Sequence, residues 1–349
     1  MAAPLGEFEL IAALRERLGT AGVAGESSRL VVGSGDDAAV TEVSGAVVTT
    51  VDAAIESVHF ERDTAPLRGV GHKALAGAVS DLAAMGAEPG EAYVQLGLPE
   101  DATEEECLEL ADGLADVAGP HGLTVAGGDV TRAPVLLLAV TAVGYANSPA
   151  DLVLRTGGRP GDVLVVTGEL GGAAAGLMLL RDAGLASGMP AQIAEALRDR
   201  QLRPLPRVAA GRALAAVGAT AMIDLSDGLG GDAIHLARAS GAAAGIELSK
   251  VPLAEGVDAV AAAAGTSPFE LATAGGEDSE LLAALPPDRL DAARAALDRV
   301  GVALTAIGGL TTGEGVELTD PDGRVRPARG FDHLTSRRSP SGRGEPGAA

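Results

Sequence analysis

At 349 residues the chain is long enough to bury a large core, and its length suggests two domains. Its hydrophobic content of 47% excludes disorder as the overall state, while an aromatic content of 2% leaves Ala, Val and Leu to build the interior. With 26 basic against 48 acidic residues the formal charge is −22, a surface that repels nucleic acid and anionic membranes.

A single cysteine, Cys107, excludes an intrachain disulfide and a multi-cysteine metal site, and it reads as a small buried residue. Only two residues are lysine, Lys73 and Lys250, so nearly all positive charge is arginine. No signal peptide opens the chain and every long apolar stretch is broken by Gly or charge, so a soluble cytoplasmic protein is expected.

Phe8, Leu10, Ile11, Leu14 and Leu18 fall at helical spacing and predict an opening amphipathic helix. Strands are expected at 30–32 and 46–51, and a helix over 66–85 ended by Gly86 and Pro89. Asp81 then lies near a helix C-terminus, where the macrodipole disfavours its charge; such local inconsistencies tend to mark sites. A strand at 93–98 precedes Thr103 and Glu106, a capping box for a helix running to about Gly119. Strand 123–126 leads into Gly127-Gly-Asp129, and 135–143 reads as a long buried strand. The first half is thus an alternating α/β unit.

A change of rhythm over 147–159 suggests the boundary between halves. Strand 162–167, the turn Gly168-Glu-Leu-Gly-Gly172 and helix 173–183 follow. Glycines at such a turn admit phosphate to a helix N-terminus or serve close packing, and the sequence leaves both open. Next come a mobile segment at 187–190, a helix after Pro206, strand 221–223, a helix from about Leu229 and strand 246–248. Thr273-Ala-Gly-Gly-Glu-Asp278 precedes strand 280–285 and helix 288–300, and 316–318 pairs with 325–327 as a hairpin. From Ser336 the composition turns to Arg, Pro, Ser and Gly, the composition of a disordered tail.

Acidic residues recur where strands are expected to stop: Asp36-Asp37, Asp52, Asp129, and Asp224-Leu-Ser-Asp227. One Asp pair reads more simply as a solvated turn, but repeated carboxylates with few bases among them suit hard cations with oxygen ligands. Magnesium typically takes one or two protein carboxylates plus substrate phosphates, which points to a polyphosphate substrate. No G-x-x-x-x-G-K-[ST], H-R-D or D-F-G is present, so neither a P-loop enzyme nor a protein kinase is indicated. Phosphoryl transfer can still run on metal and positioning alone. His59 and Arg155 taken singly fit surface or structural roles as well as ligand contacts.

The motifs together resemble the thiamine-monophosphate kinase family, within the superfamily that includes aminoimidazole ribonucleotide synthetase. They are Gly6-Glu-Phe8, Gly33-Ser-Gly-Asp-Asp37, Asp52 with His59-Phe60, Ser80-Asp-Leu-Ala-Ala-Met-Gly-Ala87 and Gly127-Gly-Asp129 with Thr131-Arg132. Arg155 before Pro160-Gly-Asp162, Ile223-Asp-Leu-Ser-Asp-Gly228, Gly275-Gly-Glu-Asp278 and Gly330-Phe-Asp-His333 complete the set.

The resemblance implies two α/β domains, an N-terminal ATP- and metal-binding, dimerising domain over 1–148 and a C-terminal domain over 149–335, with the tail at 336–349. It implies ATP-dependent phosphorylation of thiamine monophosphate to thiamine diphosphate, with magnesium, by direct in-line transfer in a homodimer. Asp37, Asp52, Asp81, Asp129, Asp224 and Asp227 would hold the metals. Gly128, Asp129, Arg155 and Ser226 would touch ATP, and His59, Glu277 and Phe331 would face thiamine monophosphate. No dedicated catalytic base is implied. Another ATP-dependent enzyme of the superfamily, or a degenerate nucleotide- or metal-binding protein, is the alternative; the latter is suggested by Val51 and Ser279, where the family has Thr and Tyr.

Overall fold

The computed structural model describes residues 6–24, 29–33 and 38–330. Asp37 with its glycine-rich motif, Phe331 and the 336–349 tail lie outside the described residues. The first half opens with α1 (Glu7–Thr20), the short strand pair β1 (Leu30–Val32) and β2 (Val40–Thr41), then β3 (Ala46–Ile55) and α2 (Leu67–Ala84). It continues with β4 (Glu88–Leu98), α3 (Glu104–Ala118), β5 (Thr124–Arg132) and β6 (Leu137–Ala146). These strands form a four-stranded sheet in the order β3-β6-β4-β5. The expected capping box is present: Glu106 N–H donates to Thr103 Oγ1 at 3.2 Å, and Thr103 N–H to Glu106 Oε2 at 2.8 Å.

Two strand ends move. β3 runs on through Asp52 to Ile55, and β5 runs through Gly127-Gly-Asp129, so neither carboxylate marks the stop that sequence alone suggests. The cause in β5 is a bulge: Ala92 pairs with Val125 but Tyr93 with Gly127, so Ala126 is the extra residue and the glycines continue the ladder. A side chain on Gly128 would strike the Val94 carbonyl, which gives that glycine a packing reason of its own.

The second half contains β7 (Val163–Thr167), α4 (Gly172–Arg181), α5 (Ala191–Leu202), α6 (Val208–Val217), β8 (Ala221–Asp224) and α7 (Leu229–Ser240). It ends with β9 (Ala243–Glu247), α8 (Val257–Ala264), α9 (Pro268–Ala274), β10 (Leu281–Leu285), α10 (Leu290–Asp298), β11 (Leu304–Thr311), β12 (Val316–Thr319) and β13 (Val325–Pro327). Its seven-stranded sheet has the order β13-β12-β9-β11-β7-β10-β8, and β12 and β13 form the expected antiparallel hairpin. Helices α5, α8 and α9 and strand β11 were not legible in the sequence. The 187–190 stretch is the last part of a short connection between α4 and α5, after a turn of 3-10 helix at Ala183–Ala186.

One helix joins the halves. α2 is buried along most of its length, and its glycines let neighbouring backbones approach: a side chain on Gly71 would strike the Leu110 carbonyl of α3. From α6, a side chain on Gly211 would strike the Ala83 carbonyl of α2 in the same way. The largest core cluster accordingly runs from Leu75, Leu82 and Leu138 to Val165, Leu214, Met222 and Leu285 without a break. Cys107 is buried in it and burial pushes its thiol up to about 11, which suits a packing residue. No helix among the described residues is long and apolar enough to cross a membrane.

Candidate active site

The face of α2 that carries Lys73, Gly77, Ser80 and Asp81 repeats at three to four residues, so these positions project to one side of the helix. At its C-terminal end, Thr50 Oγ1 of β3 donates to Asp81 Oδ2. That hydroxyl offsets the unfavourable position of the carboxylate near the helix terminus. Asp52, two residues along the same strand, lies against Gly77, where any side chain would collide with Asp52 Oδ2.

Ser80 Oγ reaches across to Asp224 Oδ2 at 3.0 Å, joining α2 to the end of β8. Asp224 is buried, and burial together with the charge of Asp81 pushes its carboxyl up to about 7. In the first turn of α7, Asp232 is also buried; burial and the charges of Asp224 and Asp227 push it up to about 8. Asp232 Oδ2 accepts from the Asp227 backbone N–H at 3.1 Å, and the charge of Arg155 eases both raised groups. Asp81, Asp224, Asp227, Asp232 and Arg155 therefore form one electrostatic group. Asp232 is a member that no sequence motif singled out.

The expected Arg155 and Ser226 belong to this neighbourhood. The Arg155 carbonyl accepts from Ser240 Oγ at 3.1 Å, which fixes the loop that carries the guanidinium. Ser226 lies in the loop between β8 and α7, and its carbonyl accepts from Glu277 N–H at 2.9 Å. Ser279 N–H to the Leu225 carbonyl, 3.2 Å, continues this pairing of the Asp-Leu-Ser-Asp and Gly-Gly-Glu-Asp loops. Glu277 and Ser279 hold φ of 63° and 53°, left-handed values that non-glycine residues rarely adopt. Backbone strain of this kind concentrates at ligand clamps.

At the other end of the α2 face, Lys73 Nζ lies 2.7 Å from Glu277 Oε1, and Gln201 Nε2 of α5 donates to Glu277 Oε2 at 2.7 Å. Burial raises the Glu277 carboxyl, but Lys73, Gln201 and the charge of His59 outweigh it and hold the group below its ordinary value. His59 Nδ1 accepts from the Ile55 N–H at 3.0 Å, which fixes the orientation of the ring. His59 and Glu277 thus share one corner, with Lys73 and Gln201 as members the sequence did not reveal.

One expected residue stands apart. Asp129 pairs in register with Gln95, whose Nε2 donates to Asp129 Oδ2 at 2.8 Å. That row continues through Ala139 to Ala53, so Asp129 faces the side of the sheet opposite Asp52 and lies three strand spacings, about 14 Å, across it. Val51 projects to that same open side with 69% of its surface exposed, so only its backbone can take part beside Asp52. The Gly168-Glu-Leu-Gly-Gly172 turn is filled from within: Asp278 accepts from Gly171 N–H and Ala173 N–H at 2.8 and 3.1 Å, capping α4.

The donor set around Asp81 and Asp224 is all oxygen and strongly acidic, which suits a hard divalent cation. Among the described residues no three carboxylate, histidine or cysteine groups are gathered closely enough to form a complete cation cage. Such a group fits a metal that also draws oxygen ligands from a bound phosphate.

Residues 35–146 match the AIR synthase related protein N-terminal domain, and residues 159–321 match the C-terminal domain of the same family. A thiamine-monophosphate kinase from Mycobacterium tuberculosis is 40% identical over 284 residues, 80% of each chain. The chain belongs to the thiamine-monophosphate kinase family. The crystal structure of thiamine-monophosphate kinase from Stenotrophomonas maltophilia K279a superposes with a TM-score of 0.78 at 34% identity, covering 92% of this chain and 98% of that one. A structure described as AaThiL complexed with AMPPCP and TMP superposes with a TM-score of 0.74 at 32% identity, covering 96% and 99%. The two domain matches leave 147–158 between them, where the sequence changes rhythm.

Proposed function

We propose that this chain phosphorylates thiamine monophosphate to thiamine diphosphate at the expense of ATP. The observation that carries the reading is the double use of α2. Asp81 meets Thr50 and the Asp224 group at one end of a helical face, and Lys73 meets Glu277 at the other. Eight residues of helix separate them, about 12 Å, so an acidic end and a mixed-charge end lie within one small-molecule length.

In this reading Asp81, Asp224 and Asp227, with Asp37 and Asp52, would hold magnesium, which when bound offsets the charge of the nucleotide phosphates. Asp129 is assigned a separate position, since the width of the sheet keeps it from sharing an ion with Asp52 within one chain. Arg155 and the Ser226 loop would orient the nucleotide, together with Gly128. His59 and Glu277, with Phe331, would face the vitamin, whose thiazolium is a cation suited to a carboxylate and an aromatic face. Transfer is direct and in line; the protein contributes alignment and charge, which is most of what phosphoryl transfer demands.

The domains are read as 1–148 and 149–335, and the enzyme as a cytoplasmic homodimer joined through the first half. Incubation with ATP, magnesium and thiamine monophosphate should yield thiamine diphosphate, and omission of magnesium should abolish the yield. Absence of product in the complete mixture would overturn the assignment.

A further inference from the structure

Lys73 is one of two lysines in the chain, and the pair differ sharply in setting. Lys250 makes an exposed ion pair with Glu247, three residues away on the surface. Lys73 has 17% of its side chain exposed and crosses from α2 to the Glu277 loop of the other half. Gln201 Nε2 holds the second oxygen of the same carboxylate, so Glu277 is fixed from two helices.

Separating this pair would leave two charges that each need a new partner, because an unpaired charge in such a place is costly. Thiamine monophosphate carries both complements on one molecule: a cationic thiazolium and an anionic phosphate. We propose that Lys73 is a substrate-binding residue whose ion pair with Glu277 stands in for the substrate. On binding, the thiazolium takes the place of the ammonium beside Glu277, and Lys73 turns to the substrate phosphate. This rests on the kinase reading above and goes further, since it makes the exchange selective for the phosphorylated vitamin. Unphosphorylated thiamine supplies a cation for Glu277 but strands Lys73.

The exchange predicts opposite responses for two ligands. Binding of thiamine monophosphate and of thiamine is measured by calorimetry on the full-length protein and on Lys73→Met, Lys73→Arg and Glu277→Gln. Lys73→Met should weaken thiamine monophosphate by about 10-fold or more, the scale of one charge-assisted hydrogen bond, and should tighten thiamine. Lys73→Arg should keep the wild-type order of affinities, and Glu277→Gln should weaken both ligands. A general loosening of the fold would move both ligands in one direction, so a parallel change in Lys73→Met, or no change, overturns the proposal. Wild-type turnover is followed alongside. Normal turnover with a parallel change removes only the Lys73 assignment, whereas absence of wild-type turnover removes the kinase reading itself.

Discussion

Ser80 Oγ donates to Asp224 Oδ2 at 3.0 Å, and both residues are buried. This bond joins α2 of the first half to β8 of the second where the carboxylates gather. Ser80→Ala removes a donor from a buried carboxylate, a loss of about 1–3 kcal/mol. The urea midpoint should fall accordingly, and by more at pH 8 than at pH 6, because Asp224 with its carboxyl near 7 is mostly ionised only at the higher pH. An unchanged midpoint at both pH values would show that the bond carries no stability.

The acidic group makes metal-free stability depend on pH. Asp224 at about 7 and Asp232 at about 8 are both raised above the ordinary carboxylate value. Between pH 6.5 and 8 the folded state holds protons that the unfolded state has already shed, so stability from these groups falls as pH rises. His72 and His121 are lowered by burial, so near pH 6.5, where an unfolded imidazole still holds protons, they oppose the decline, and that opposition fades as pH rises toward 8. Thermal melts in chelator should therefore decline from pH 6.5 to 8, and magnesium at pH 8 should recover the loss. Asp232→Asn should flatten the decline; a slope equal to wild type would detach Asp232 from the group.

Turnover should be far more sensitive than folding to the same carboxylates. In the proposed metal assignment Asp81→Asn and Asp224→Asn would each remove a charge facing a phosphate-bound cation, worth several kcal/mol, so kcat should fall by roughly 10²-fold or more. Asparagine at 224 still accepts from Ser80, and one like charge leaves a crowded site, so melting temperature should hold or rise. Near-wild-type kcat in both variants at limiting magnesium would sink the metal assignment.

Legibility followed the range of the interaction. The α1 periodicity, the Thr103–Glu106 box and the β12–β13 hairpin depend on residues a few positions apart and were all readable. Strand ends were misjudged where a carboxylate or glycine continues a ladder, as at Asp52 and Gly127 to Asp129, because pairing partners decide that and they lie in other strands. β11 escaped because Gly308 and Gly309 interrupt its apolar run, whereas they follow a bulge at Ile307 within the strand. α5 escaped because its polar sequence shows only a thin apolar stripe, with Ala194, Leu197 and Gln201 buried. In the candidate site, the residues that resemblance pointed to are those that stand within motifs. Lys73, Gln201 and Asp232 stood outside that set, since what brings them there is contact between α2, α5, α7 and loops far along the chain.

The glycines of the α2–α3 crossing offer a test of packing independent of chemistry. A side chain on Gly71 would meet the Leu110 carbonyl, and one on Gly113 would meet the Arg68 carbonyl, so the two backbones touch in both directions. Overpacking of this kind costs about 1–3 kcal/mol or more. Gly71→Ala and Gly113→Ala should each lower the unfolding free energy by that amount and the denaturation midpoint with it, while Gly19→Ala, with open space around it, should not. Equal midpoints for all three would contradict the close crossing.

The open side of the four-stranded sheet carries the last prediction. α2 packs against the side that bears Val48, Leu138 and Val140. Register places Val47, Thr49 and Val51 of β3 on the other side, beside Val143 and Thr141 of β6, and Val47 and Val51 are largely exposed. Contiguous apolar positions on a sheet face mark an interaction surface. A two-fold contact would set this face of one copy against the same face of the next. Sedimentation at micromolar concentration should therefore give a dimer. Val51→Asp should shift it toward monomer with the circular dichroism unchanged, because the side chain makes no core contact within one chain. Each copy would bring a new carboxylate beside Val47 and Val143, and desolvating it without a partner is costly. A wild-type monomer with full activity, or a Val51→Asp protein of unchanged mass, would remove the dimer through this face.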